Sequence, residues 1–280
     1  MHPQPQVNFS AEGGQVTRVG LGGEGVLRTF GHEEKAREVI SRALELGITY
    51  FDTAQAYAGS QAYLGSVWAQ RPEQREGIFQ TSKSASRSRD SAWRELEDSL
   101  RTLSSERLQL WQIHDIRSFG DVRALEAEDG ALKAFVRARE QGLVQHIGVT
   151  GHHDSEVLDY CVRNWPVDSV LLPVNPAETV LGGFLDQVLA AARENNLAVV
   201  GMKCLGAGGY LQPSRGLTAR KLLRYALDRD VDLVIAGCSS ASEVDELAAA
   251  ARDPQLQEEE ERELESLFAP KARRLAFYRG

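Results

Sequence analysis

Four side chains able to hold or move a proton lie behind short apolar runs in the first half of this 280-residue chain: Asp52, Tyr57, Lys83 and His114. Asp52 closes the run Ile48-Thr49-Tyr50-Phe51, and Tyr57 follows five residues later on the loop that leaves it. Lys83 ends Ile78-Phe79-Gln80-Thr81-Ser82, and His114 ends Leu108-Gln109-Leu110-Trp111-Gln112-Ile113. β-branched and aromatic residues make each run a strand, and Gly47 closes the helix before the first. A free phenol has a pKa of ~10 and gives up its proton slowly near neutrality, whereas a nearby ammonium favours the phenolate. Lys83 would be that ammonium, Asp52 would keep it charged and aimed, and His114 would orient a carbonyl oxygen or share the proton. Singly, each has a plainer reading: a surface phenol, a solvated lysine, a hydrogen-bonded core histidine, a turn-capping aspartate. Their joint placement at the ends of three successive strands points to a proton-donating site.

Such a site needs a scaffold that gathers strand ends. Residues 15–21 read as a first strand. Further apolar runs at 146–150, 170–174, 198–202 and 231–236 complete eight strands. Amphipathic patterns predict helices over 33–46, 63–69, 90–103, 131–141, 155–164, 184–195, 218–228 and 242–251. Near-continuously apolar strands alternating with helices argue a parallel sheet covered by helices. Eight units argue one α/β domain over 1–280, a (β/α)8 TIM barrel, whose strand C-termini and following loops form the active face. A C-terminal helix and tail follow from about residue 255. The acids from Glu258 to Glu265 read as a solvated helix face, and the residues behind them either cross the barrel mouth or fray.

Composition narrows the partners. A formal net charge of −8 argues against general affinity for nucleic acid or an anionic membrane. No apolar run approaches the ~20 residues of a membrane span, and residues 1–11 carry no signal pattern. Cys161, Cys204 and Cys238 form no C-x-x-C pair and read as reduced, inert thiols of a cytoplasmic protein. Gly20-Leu21-Gly22-Gly23-Glu24-Gly25 matches the dinucleotide fingerprint G-x-G-x-x-G, but that fingerprint needs its third glycine inside a helix's first turn. Residues 26–32 intervene here, which favours a Gly-rich loop letting a ligand approach the backbone of Gly22 and Gly23. His152 and His153 are adjacent, with no H-x-x-x-H or cysteine partner, and read as loop polarity, not as metal ligands.

The contexts Phe51-Asp52-Thr53-Ala54-x-x-Tyr57, Thr81-Ser82-Lys83 and Gln112-Ile113-His114-Asp115 resemble the aldo-keto reductases, over about Val16 to Ala251. The resemblance implies an oxidoreductase interconverting a small-molecule carbonyl and an alcohol, with Tyr57 as general acid in reduction and general base in oxidation. Hydride would come from NADP(H) or NAD(H), since no side chain supplies it. On the same resemblance Thr150 and Gly151 stand where a Ser-Asn pair holds the nicotinamide carboxamide, Leu171 where a Gln does, and Met202 where an aromatic stacks. Lys203, with Leu205 beyond it, is a candidate phosphate contact. Gly237, Ser239 and Ser240 match the loop that holds the adenosine phosphate. Glu243 replaces an Arg there and Leu247 an Asn, so the resemblance leaves NADP(H) and NAD(H) evenly placed. A nucleotide-binding sensor or regulatory barrel with little turnover is the alternative.

Overall fold

The structure, a computed structural model, describes residues 3–10 and 14–279. Ten strands occur among them: β1 Gln6–Asn8, β2 Gln15–Thr17, β3 Val19–Gly25, β4 Tyr50–Phe51, β5 Phe79–Ser84, β6 Leu108–Ile113, β7 Val144–Thr150, β8 Ser169–Pro173, β9 Ala198–Met202 and β10 Leu233–Cys238. The last eight close a parallel barrel, β3 pairing with β4 on one side and β10 on the other. The (β/α)8 expectation therefore holds. Within a strand, successive side chains alternate between barrel interior and helical shell. Phe79, Thr81 and Lys83 take the inward parity on β5. Gln80 and Ser82 point outward, where Gln80 accepts a hydrogen bond from Trp68 and Ser82 from Gln61. On β6 the inward positions are Leu110 and Gln112, and His114 continues the row.

The predicted first strand is two. Residues 15–17 pair antiparallel with β1 as a hairpin, and the barrel strand begins at Val19. Three-residue strands are too short for periodicity to separate them. The hairpin sets Phe9 against the N-terminal ends of the barrel strands, fully buried, with ring centroids 4.4 Å from Phe79 and 5.7 Å from His146. Phe9 thus plugs the end of the barrel opposite the strand C-termini.

Other differences are local. Gly20 to Gly25 lie within β3 and do not form a loop. A Cβ on Gly22 would stand 2.9 Å from the Ala236 and Gly237 backbone, and one on Gly23 2.7 Å from the Asp52 carbonyl oxygen. Close strand approach requires glycine at both. The helix over Ser155–Asn164 is capped by Asp154, whose carboxylate accepts from the Glu156 N–H at 2.9 Å. Helices Phe119–Glu126 and Pro176–Leu181 were not anticipated, because their runs are too short to show a period. Trp93 stacks under Arg137 of a neighbouring helix, its ring centroid 4.2 Å from the guanidinium, and so does not reach the barrel mouth. Helix Glu258–Phe268 buries Leu264 and Phe268 and turns its acids outward. The tail behind it is tied down: the Tyr278 hydroxyl donates to buried Glu178 at 2.7 Å, and Arg279 pairs with the same carboxylate. No described helix is long and apolar enough to cross a membrane.

Phe9→Ala should lower unfolding free energy by about 3–5 kcal/mol in a denaturant titration. Ligand affinity at the other end should be unaffected; a loss below about 1 kcal/mol would mean Phe9 is no plug.

Candidate active site

β4 ends at Phe51, so Asp52 is the first residue beyond it, turned inward with Tyr50. Parallel pairing sets Lys83 beside Gln112, and the inward row places Asp52, Thr81, Lys83 and Gln112 in one polar layer. Both Asp52 and Lys83 are 1% exposed, and the ammonium donates to Asp52 Oδ2 at 2.5 Å. Further hydrogen bonds hold the pair. Asp52 Oδ1 accepts from Thr81 Oγ1 at 2.8 Å and from Gln112 Nε2 at 3.3 Å, and Lys83 also donates to the Thr53 carbonyl at 2.9 Å. Thr81 and Gln112 were not singled out from sequence. Each lies two residues before a catalytic candidate, on the same strand face.

Tyr57 covers this layer. Its ring centroid lies 4.8 Å from Lys83 Nζ and 4.9 Å from the Arg28 guanidinium, which the sequence also did not flag. His114 meets it edge-on at 5.6 Å. The four predicted residues therefore do converge. Arg87 steadies the end of β6 by donating to the carbonyls of His114 at 3.0 Å and Asp115 at 2.8 Å. Burial pushes the His114 imidazole down to about 3, with the Lys83 charge adding to it, so His114 is neutral at working pH. Burial also lowers the Lys83 ammonium, against the pull of Asp52.

One expectation is reversed. The Tyr57 phenol is held well above its ordinary value, first by burial and next by the Asp52 carboxylate. Lys83 spends its charge on Asp52, so the pair offsets the aspartate's repulsion of a phenolate more than it lowers the phenol outright.

Beside Tyr57 opens a cavity of about 540 Å³ running from Asp52 to Leu247. Gly22, Gly23, Leu171, Met202, Lys203, Leu205, Gly237, Ser239 and Glu243 line it. Three expected contacts do not. The Thr150 hydroxyl accepts from the Asp115 N–H at 2.9 Å, Gly151 packs against Ile116 and Leu158, and Ser240 caps helix Ala241–Arg252 through the Glu243 N–H. Glu243 reaches back to the Ser239 N–H at 2.7 Å. Ser240-x-x-Glu243 is close to a capping box, a sequence signal that was overlooked. Cys204 and Cys238 also face the cavity, but burial raises both thiols to about 12, which leaves them inert.

The loop after β9 fits an elongated anionic ligand. Lys203, Gly206, Ala207 and Gly208 all have left-handed backbone, with φ of 57°, 55°, 54° and 85°. For Lys203 and Ala207 that conformation costs about 1–2 kcal/mol, strain of a kind that concentrates at ligand clamps. A Cβ on Gly208 would meet nothing within 4 Å, so the backbone there is open to a close approach. Apolar walls, a lysine and this small-residue loop together suit a nicotinamide dinucleotide, whose rings, ribose and pyrophosphate want these surfaces in turn.

Solved structures share this architecture. An aldo/keto reductase from Klebsiella pneumoniae in complex with NADP and acetate superposes with a TM-score of 0.78, at 22% identity over 95% of this chain and 96% of that one. Among curated sequences, the aldo-keto reductase yakc (NADP+) of Schizosaccharomyces pombe is 26% identical over 75% of this chain, spanning 66% of its own length. The L-galactose dehydrogenase of Arabidopsis thaliana is 24% identical over 91% of this chain and 92% of its own. The sequence pattern of the Aldo/keto reductase family matches residues 18–221. The chain belongs to that family.

Lys83→Met leaves Asp52 buried and unpaired, which should lower stability by about 3–5 kcal/mol. With the ammonium gone, the Asp52 carboxylate's repulsion of a phenolate is no longer offset, so phenolate is disfavoured further. The alkaline limb of alcohol oxidation, followed with chemistry rate-limiting, should move up by about one unit or more. An unmoved limb would show that Lys83 does not tune Tyr57.

Proposed function

We propose that this protein reduces the carbonyl of a small molecule to an alcohol, and runs the reverse, with Tyr57 as acid and base. The observation that carries the reading is the buried, hydrogen-bonded Asp52–Lys83 pair beneath a phenol that faces a neutral imidazole at the edge of a dinucleotide-sized cavity. A bound nicotinamide supplies or accepts the hydride. Every other task falls to the chain. Neutral His114 donates a hydrogen bond to the carbonyl oxygen and fixes it near the phenol. Tyr57 gives its proton to that oxygen as negative charge develops there. Lys83 lies 4.8 Å from the ring and stabilises the phenolate left behind, and Asp52 keeps the ammonium charged against its burial. Because His114 stays neutral, carbonyl reduction should show no break in rate near pH 6.5 from an imidazole.

Membership of the family and the complete acid–base cluster favour turnover over a sensor barrel. A silent sensor would not need a buried ion pair aimed at a phenol. Tyr57→Phe tests this. Reduction of a simple aldehyde should fall by ~10²–10⁴-fold while cofactor affinity stays within about twofold. A variant keeping half the wild-type rate would remove Tyr57 from the mechanism.

For the cofactor we infer that both NADPH and NADH are accepted. Beyond Gly237 the cavity wall presents Ser239, Ser242, Glu243 and Glu246, two hydroxyls and two acids, with no cation for a 2′-phosphate. Glu243 repels that phosphate and can instead accept from ribose hydroxyls, while the serines can donate to either cofactor. Glu243→Arg should move the affinity ratio toward NADPH by about tenfold, or ~1.4 kcal/mol, mostly at low salt. Since Glu243 also bonds the Ser239 N–H, Glu243→Gln serves as the control for lost capping. A ratio unchanged within twofold would mean Glu243 does not face the ribose.

A further inference from the structure

The ends of β6 and β7 bring together three side chains that no step above uses. Asp115 follows His114 directly, and His152 and His153 follow β7. The Asp115 carboxylate is divided. Arg117 donates to Oδ2 through Nε at 2.8 Å and Nη2 at 2.5 Å, which leaves Oδ1 turned toward the two imidazoles. His152 Nε2 lies 3.5 Å from Oδ1 and His153 Nε2 3.2 Å from it. Both Oδ1 and His153 Nε2 are buried atoms that form no hydrogen bond, so proximity here is not pairing. The rings lie 4.4 Å apart and tilted by 30°, on one side of the turn.

These spacings match a coordination polyhedron better than a hydrogen-bonded cluster. Metal–ligand bonds of ~2.0–2.1 Å at tetrahedral angles set neighbouring ligand atoms ~3.3 Å apart. The two nitrogen–oxygen separations bracket that value, and all three candidate donor atoms lie within 4.8 Å of one another. From sequence the adjacent histidines had no partner at metal-ligand spacing. Folding supplies one from the neighbouring strand. Asp154, next in the chain, is not part of the cluster; its Oδ1 caps the following helix.

The geometry points to a divalent metal site of Zn²⁺ type at Asp115, His152 and His153, on the rim of the barrel mouth and separate from the Asp52–Lys83–Tyr57 cluster. Two imidazoles and one carboxylate are the ligand set of open zinc sites, which leave a fourth position for water or a ligand. Borderline nitrogen donors favour zinc over magnesium or calcium, which prefer oxygen cages. Arg117 is the competing cation. It is largely exposed and free to swing away, whereas Lys203 adds a second positive charge nearby.

The test is direct binding to the whole chain, freed of metal with a chelator and without cofactor. Calorimetric titration with Zn²⁺ should show one equivalent bound with a Kd of ~10 µM or tighter, and Co²⁺ should give the visible bands of a tetrahedral site. His152→Gln, His153→Gln and Asp115→Asn should each weaken binding by ~tenfold or more. Arg117→Gln should strengthen it, and His32→Ala should leave it unchanged. Thermal melts identify any variant that fails to fold. Should all three ligand variants fail, an anomalous zinc peak between these residues in crystals of the wild type decides the matter. Absence of saturable binding below ~100 µM, or binding that survives in a folded double-histidine variant, would overturn the proposal.

Discussion

The arrangement of the active face depends on one buried ion pair. Taking an ammonium and a carboxylate out of water is expensive, and their attraction offsets it only when the geometry is close and every other valence is met. Asp52 and Lys83 stand 2.5 Å apart, and Thr81, Gln112 and the Thr53 carbonyl supply further hydrogen bonds to the pair. Those partners come from β5, β6 and the turn after β4, so the pair fixes how far these strands may slide against one another. A slip of one residue would turn Lys83 toward the helices and leave Asp52 uncompensated in the core. The register of the sheet and the placement of the chemistry are therefore the same constraint.

Sequence made this pair and its two companions visible because residue type and strand-end position were enough. Asp52, Tyr57, Lys83 and His114 could be named without knowing the barrel's twist, since any parallel barrel gathers strand C-termini. The supporting residues were harder for a physical reason. Thr81 and Gln112 looked like ordinary strand residues until the parity of each strand was fixed, and Arg28 reaches Tyr57 from a short turn with no periodicity of its own. The N-terminal hairpin escaped because its strands are three residues long. Glycines at 22 and 23 line the cavity, and neighbouring strands fill the space a side chain there would take.

The cofactor side was the least legible part. Family resemblance placed Thr150, Gly151 and Ser240 against the ligand, and in the structure they also serve the protein: a hydroxyl holding the Asp115 backbone, a packing glycine and a helix cap. A binding loop is shaped by short-range hydrogen bonds that alignment position does not record. The strained loop after β9 shows the converse. Nothing in Lys203-Cys204-Leu205-Gly206-Ala207-Gly208 except its glycines announces four left-handed residues.

Position along the chain divides the labour within the barrel. The proton-handling residues lie between Asp52 and His114, while the long wall of the cavity comes from Leu171 to Leu247, with β3, Asp52 and Tyr57 closing its other side. Substitutions in one half of the gene therefore leave the other half's contacts in place. Recombination near the middle of the chain could exchange one cavity wall for another while inheriting the acid–base cluster whole, provided the β3–β10 and β6–β7 seams still close.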